Sequence, residues 1–319
     1  MLKELVEQAS SVAIGGHIRP DGDCVGSCMG LYQYLTDNYG EKEIDIYLEE
    51  IPEAFHFIHK SDKIKHEIPD NKKYDLFLAL DCGDAQRLGF SLPLFESADH
   101  TFCIDHHISN ESFAAHNYIV PDASSTSELV YHLMDKEKIT KEIAEALYIG
   151  IVHDTGVFQY SCTSPDTLRI AADLLEKGVD APALIDSTYY EKTYAQNQVL
   201  GRALLESMLL LDNKCIVSYI SKEVMDFYDV GPKELDGIVS QLRVTKGTEV
   251  AVFMYETAPN QWKVSLRSKK LIDVSHIARY FGGGGHVRAA GFSMPGTFHD
   301  VTGNVAKQLE LQFEEIEEA

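Results

Sequence analysis

The chain is poor in positive charge. Against 50 Asp and Glu it has only 28 Lys and Arg, a formal net charge of −22 over 319 residues. That excludes a surface that grips long nucleic acid, because such binding needs many basic groups to neutralise phosphates. It leaves room for a small anionic substrate held by metals or by a local cation cluster. Long apolar runs are missing too: nothing approaches the ~20 residues of a membrane span. The segment Met1-Leu-Lys-Glu-Leu-Val-Glu-Gln8 carries two acids and lacks the basic-then-apolar layout of a signal peptide. Cysteine is scarce. Six residues with no C-x-x-C pair are too few to staple a chain this long, so reduced thiols and a cytoplasmic location are expected. Cys24 and Cys28 are four apart and could share a helix face, with small apolar filler as the expected role. No internal repeat or low-complexity tract is present.

What is there describes an ordinary globular protein, 45% hydrophobic and 24% charged, about two domain lengths at ~150 residues each. In the first half, strand-like and helix-like stretches alternate. Residues 11–17, 44–48, 74–80 and 101–104 read as strands, and 25–35, 125–135 and 141–151 as helices, the second opening on Ser125-Thr-Ser-Glu128 with capping-box spacing. Nearly continuous apolar runs such as Tyr74-Asp-Leu-Phe-Leu-Ala-Leu80 predict a parallel sheet covered on both faces. The pattern changes near residue 187. A polar, helix-compatible stretch follows, then strand-like runs at 215–220, 249–255 and 262–266. The expected architecture is α/β: a parallel-sheet domain over 1–187, a helical linker over 188–210, and a smaller α+β domain over 211–319. The acidic tail Glu314–Ala319 reads as a solvated or fraying helix end.

Four acid and histidine clusters fall where predicted elements end: His17-Ile-Arg-Pro-Asp21-Gly-Asp23, Asp81-Cys-Gly-Asp84, Asp105-His106-His107 and His153-Asp154-Thr-Gly156. Three of them directly follow strands. In an open α/β sheet this places them at one rim, where ligands bind. Any one alone reads as a turn former, a helix cap or a satisfied polar residue. Several carboxylates at one rim repel one another unless cations neutralise them. Imidazole and carboxylate donors without thiolate suit manganese or magnesium better than structural zinc. Two metals bridged by one Asp can activate water and clamp a phosphoryl group from both sides. The second half adds Gly282-Gly283-Gly284-Gly285-His286-Val-Arg288, either a backbone nest for phosphate or a flexible hairpin, and Arg267-Ser268 just after a predicted strand.

Taken in this order, His17-x-x-Pro-Asp21-x-Asp23, Asp81, Asp105-His106-His107 and Asp154 resemble the four motifs of the DHH phosphoesterases. Arg267-Ser268 and the glycine run ending at His286 resemble the DHH-associated C-terminal domain. The resemblance spans about Ser11 to Met294. It implies two divalent metals, manganese first, with magnesium or cobalt as the other candidates. His17, Asp21 and Asp81 would hold one, and Asp23, Asp81, His106 and Asp154 the second. His107 would face the scissile phosphate, with Asp105 orienting its neighbours. Arg267, Ser268, Gly283, Gly284, Gly285 and His286 would grip the rest of the substrate, in a cleft between the domains.

Within the superfamily, the length and bare two-domain layout resemble the group that cleaves very short oligoribonucleotides and dephosphorylates 3′-phosphoadenosine 5′-phosphate. A short RNA or nucleotide is then the expected partner, with no long nucleic acid and no membrane; a homodimer is compatible with this. Family II pyrophosphatases share the four motifs but lack the glycine-rich histidine signature. Cyclic-dinucleotide phosphodiesterases normally carry N-terminal membrane and sensor segments, and RecJ-type exonucleases are longer. The remaining alternatives are a phosphodiesterase for linear or cyclic dinucleotides and an idle nucleotide-binding regulator. The signature of an idle regulator would be a lost ligand, and all six positions are filled. Arg19, Cys24 and Arg288 depart from the family pattern and bear on substrate preference.

Overall fold

The computed structural model describes residues 1–317. They fall into two compact units that divide between Glu191 and Lys192.

The first unit is built on β1 (Ser11–Gly15), β2 (Glu43–Tyr47), β3 (Ile64–Lys65), β4 (Leu76–Leu80), β5 (His100–Asp105) and β6 (His116–Ile119). They form an all-parallel sheet in the order β3-β2-β1-β4-β5-β6. Its helices are α1 (Leu2–Gln8), α2 (Gly22–Asn38), α3 (Leu92–Ser97), α4 (Thr126–Leu133), α5 (Lys141–Asp154), α6 (Pro165–Glu176) and α7 (Ala181–Ile185). Every residue of β4 is buried, as a strand covered on both faces requires. Leu76, Leu78 and Leu80 pack in one core cluster with residues of α2, α4 and α5. Phe77 and Ala79 pack on the other face with Leu88, Leu94 and Phe95. The strand order reverses between β1 and β4, so a crevice opens beyond their carboxyl ends.

Two details position the site. Helix α2 starts earlier than its apolar run suggests, because the Asp21 side chain caps it by accepting from the Asp23 and Cys24 amides. Helices α2 and α5 cross in close contact at paired glycines. A Cβ on Gly26 would lie 2.5 Å from the Ala146 carbonyl oxygen and 2.8 Å from the Gly150 nitrogen. The expected capping box of α4 is half formed. Ser125 Oγ accepts from the Glu128 amide, but the Glu128 carboxylate takes the Ser124 and Thr167 hydroxyls instead of returning to the cap.

The second unit carries β7 (Met208–Leu210), β8 (Cys215–Ile220), β9 (Val250–Ala258), β10 (Gln261–Ser268), β11 (Gly284–His286) and β12 (Ala289–Pro295) in the order β11-β12-β10-β9-β8-β7. Only β8 and β9 run parallel, so the sheet is mixed. Helices α8 (Tyr194–Leu205), α9 (Lys222–Tyr228) and α10 (Ile238–Arg243) cover one face, α11 (Val274–Tyr280) and α12 (Phe298–Glu317) the other. Within the segment expected as a connector, α8 buries Val199 and Ala203 against Ile216, Ile220 and Phe253. The acidic tail continues α12 through Glu317, and its last two residues, Glu318 and Ala319, lie outside the described residues. Among the described residues no helix is long and apolar enough to cross a membrane.

Candidate metal centre

The carboxyl ends of β1, β4 and β5 bring three of the four clusters together. His17 follows β1, Asp81 follows β4, and Asp105 ends β5 with His106 and His107 next. The fourth arrives on a helix, with Asp154 as the last residue of α5. Asp81 stands at the centre, buried, with a left-handed backbone of φ 56°. Its two carboxylate oxygens face different neighbours. Oδ2 lies 3.4 Å from His17 Nε2, whereas Oδ1 lies 3.7 Å from both His106 Nε2 and His107 Nδ1. On the first side, Asp21 Oδ1 reaches to 3.5 Å from His17 Nε2. On the second, His106 Nε2 stands 3.0 Å from Asp154 Oδ2 and 3.9 Å from Asp23 Oδ2. Ligand atoms of Asp23, His106 and Asp154 lie within 4.8 Å of one another, as do those of Asp81, His106 and His107, and those of His17, Cys24 and Asp81.

The supporting bonds set these positions. His17 Nδ1 contacts the Ile18 carbonyl at 2.8 Å, which leaves Nε2 facing the acids. Asp23, fully buried, accepts from the Thr126 amide at 2.6 Å and the Ser127 amide at 2.9 Å, so it is held by the first turn of α4. Thr126 Oγ1 donates to Asp81 Oδ1. Asp105 makes a 2.7 Å bond to His107 Nδ1, and its other oxygen accepts from Asn110 Nδ2 at 2.7 Å. Asp154 is followed by a left-handed turn, with Gly156, Val157 and Phe158 all at positive φ. Thr155 Oγ1 anchors that turn by donating to the Ile151 carbonyl and accepting from the Phe158 amide. His153 faces elsewhere. Its ring packs between Phe55 and Tyr189, and its Nε2 meets Thr188 Oγ1.

Charge explains why the cluster calls for cations. Burial, together with Asp81 and Asp154, pushes the Asp23 carboxyl well above its ordinary range. Asp154 is raised for the same reasons, burial first and then Asp81, against the pull of His106. His17 is pushed up to about 12: burial opposes the charge, but the bonds to Asp21 and Asp81 outweigh it. His106 rises to about 10, with burial overcome by Asp154, Asp23 and Asp81. Asp105 bonding raises His107, while Asp105 itself is lowered against burial by His107 and Asn110. Three buried or half-buried carboxylates beside imidazoles therefore form a donor set of oxygen and nitrogen that fits hard to borderline divalent ions.

This electrostatic arrangement carries a pH prediction. With pKa values raised to about 12 and about 10, His17 and His106 are protonated at neutral pH in the metal-free protein. Their histidinium contacts stabilise the metal-free fold below the unfolded value of about 6.5 and fade only as pH climbs through the raised values. A metal held by these two rings would need them neutral, so its uptake would expel the protons, and affinity would fall by about tenfold for each pH unit lowered and each proton released. Calorimetry in buffers of different ionisation heat should register release of more than one proton per chain. Uptake without proton release would remove both histidines from the ligand set.

In the second unit, the glycine run lies at the sheet edge, and Ser268, at the end of the interior strand β10, meets the Val287-Arg288 turn that follows the run. The run forms the short exposed strand β11, paired with Ala289–Gly291 of β12. A Cβ on Gly283 would sit 2.2 Å from the Gly291 carbonyl oxygen, and Gly285 holds φ 140°. The glycines are thus required by the hairpin itself, and the Gly283 amide donates to the Ala278 carbonyl. Ser268 is buried, its amide bonded to the Arg288 carbonyl and its hydroxyl to that of Val287. Arg267 alternates to the opposite face of β10 from Ser268, and His286 is exposed. Sequence reasoning missed Thr126, Ser127 and Asn110. The Ser-Thr-Ser run was visible only as a helix start, and Asn110 carried no signal.

Comparison with known proteins agrees with this geometry. Residues 11–151 match the DHH family N-terminal domain, and residues 212–318 match the DHHA1 domain. A Thermus thermophilus protein named bifunctional oligoribonuclease and PAP phosphatase NrnA is 29% identical over 97% of this chain and 91% of its own. Its Bacillus subtilis namesake is 29% identical over 92% and 93%. A solved structure of an exopolyphosphatase-related protein from Bacteroides fragilis superposes with a TM-score of 0.87 at 26% identity, covering 98% of this chain and 94% of that one. The chain thus carries a DHH family N-terminal domain followed by a DHHA1 domain, a layout that with these relatives supports a hydrolase acting on phosphoester bonds.

Proposed function

We propose that the protein is a cytoplasmic, two-metal hydrolase of short oligoribonucleotides and of 3′-phosphoadenosine 5′-phosphate. The observation that carries this reading is the division of Asp81, whose two oxygens face separate donor sets. His17, Asp21 and Asp81 would hold one divalent ion, and Asp23, Asp81, His106 and Asp154 the other, with manganese the best match to oxygen and nitrogen donors. Such a pair supplies an activated water and neutralises charge on a phosphoryl group. His107 is half-buried, and its bond to Asp105 both raises its pKa and fixes the ring, so it would present an oriented donor to a phosphate oxygen without reorganising during the reaction. Asn110 keeps Asp105 from turning. In the second unit the exposed His286 and the open Gly284-Gly285 strand would offer contacts to a substrate phosphate, whereas Ser268 and the Gly283 amide are already engaged within the unit. Six free cysteines support a reducing compartment.

A shallow charge supply suits this substrate. With a net charge of −22, affinity rests on metals and a few local groups, which serves a dinucleotide far better than a long strand. The test is turnover with added manganese on a diribonucleotide, a long single-stranded RNA, 3′-phosphoadenosine 5′-phosphate and pyrophosphate. Fast release from the dinucleotide or the bisphosphate, with little from the long strand, is expected. Preference for pyrophosphate or the long strand would overturn the substrate assignment. Tight nucleotide binding without turnover on any of them would point to a regulator.

A further inference from the structure

The metal centre proposed above has a sulfur neighbour that its oxygen and nitrogen donors do not account for. Cys24 sits in the first turn of α2, one residue after Asp23, and its amide donates to the capping carboxylate of Asp21. Its side chain is fully buried. Its Sγ lies within 4.8 Å of both an imidazole nitrogen of His17 and a carboxylate oxygen of Asp81, all three residues being buried. The sulfur is kept there by a glycine: a Cβ on Gly16 would stand 2.3 Å from Cys24 Sγ, so only a bare backbone after β1 admits it. The Cys24 thiol makes a long 4.0 Å contact to the His17 carbonyl and also meets the Cys28 thiol. Cys28, one turn on, belongs to none of the donor groups found among the described residues.

Resting on that reading of the centre, we propose that Cys24 is a further, thiolate donor to the ion held by His17, Asp21 and Asp81, so that this position accepts a borderline-soft ion such as zinc or cobalt more readily than the second position does. The sequence alone suggests an apolar filler, because spacing within a helix does not reveal that the first turn aims Cys24 back toward His17. The sulfur stands within 4.8 Å of both partners and closes the remaining distance on binding. Donors at ~2.0–2.3 Å from one tetrahedral ion lie roughly 3.3–3.8 Å apart, and His17 and Asp81 are already at 3.4 Å. On binding, the sulfur–metal bond replaces the S–H bond and the proton leaves to solvent. No electron is transferred. Adding a thiolate to the imidazole of His17 and the carboxylates of Asp21 and Asp81 makes this set softer than the second position, where Asp23, His106 and Asp154 offer no sulfur. The two positions would then differ in metal preference.

Cobalt titration of the metal-stripped full-length protein tests this directly. A near-ultraviolet thiolate-to-cobalt charge-transfer band should grow and saturate at one equivalent. It should vanish in Cys24→Ser and persist in Cys28→Ser. Competition titrations should show zinc affinity in Cys24→Ser weakened by at least the roughly 10- to 100-fold that loss of an outer-sphere partner already costs, with manganese affinity preserved. Cys24→Ala provides a second variant, and circular dichroism reports whether each is folded. Cobalt that binds with visible ligand-field bands but no charge-transfer band would overturn the Cys24 assignment and leave the centre standing, as would a band that survives in Cys24→Ser. Absence of cobalt binding altogether would overturn both.

Discussion

Asp81→Asn is expected to leave a folded protein that no longer hydrolyses phosphoesters. Asparagine has the same shape and tolerates the left-handed backbone at this position, so the substitution isolates the charge. An amide can offer one oxygen to one cation, but it cannot place an oxygen on each side of the centre. Activity should fall by at least the roughly 10²- to 10³-fold that loss of one preorganised electrostatic contact costs. Bound manganese, measured by elemental analysis after gel filtration, should fall with it. The fold should survive, because the substitution gives up the Asp81 contacts that raise His17 and His106 but also relieves the repulsion that holds the Asp23 and Asp154 carboxyls above their ordinary range. Full activity with unchanged metal content would end the bridging assignment.

Gly26→Val should be the most damaging change away from the ligands. Gly26 lies one turn into α2 beyond Asp23, and Gly150 one turn before Asp154 on α5, so their contact fixes the spacing of the two helix ends that carry these proposed ligands. A side chain at Gly26 meets the backbone of Ala146 and Gly150, which cannot rotate out of the way. The helices must separate instead. Overpacking of this kind costs about 3 kcal/mol, a fall in Tm of roughly 10 °C for a unit this size. Separation also moves Asp23 away from Asp154, so metal uptake should weaken even in the fraction that folds. A wild-type melting curve together with full metal loading would show that the crossing does not set the centre.

The sequence made β1, β4 and β5 readable because a strand buried on both faces must be a continuous apolar run. An acid at the end of such a run stands out. His17, Asp81 and Asp105 were legible for that reason, and the topology brought them to one rim. Other features depend on what the fold makes adjacent. Nothing near Asp23 in sequence announces that the amides of Thr126 and Ser127 hold it. His153 is adjacent to Asp154 in sequence yet turns into an aromatic pocket, because successive helical residues point in different directions. The glycine run left two readings open, and β-pairing with Ala289–Gly291 decides its local form: an edge hairpin.

The Asp23 bond to the start of α4 joins residues 103 positions apart, and the Thr126 hydroxyl spans 45 to reach Asp81. No short stretch of the unfolded chain can assemble even one complete donor set. In a zinc finger, by contrast, neighbouring donors let the ion organise the chain. Here the large loops must close first, and parallel strands with intervening helices make such closure a slow, high-contact-order event. Cation capture by the proposed donor sets would therefore act on a completed topology, and a chain synthesised during metal shortage is expected to reach the same fold and load later.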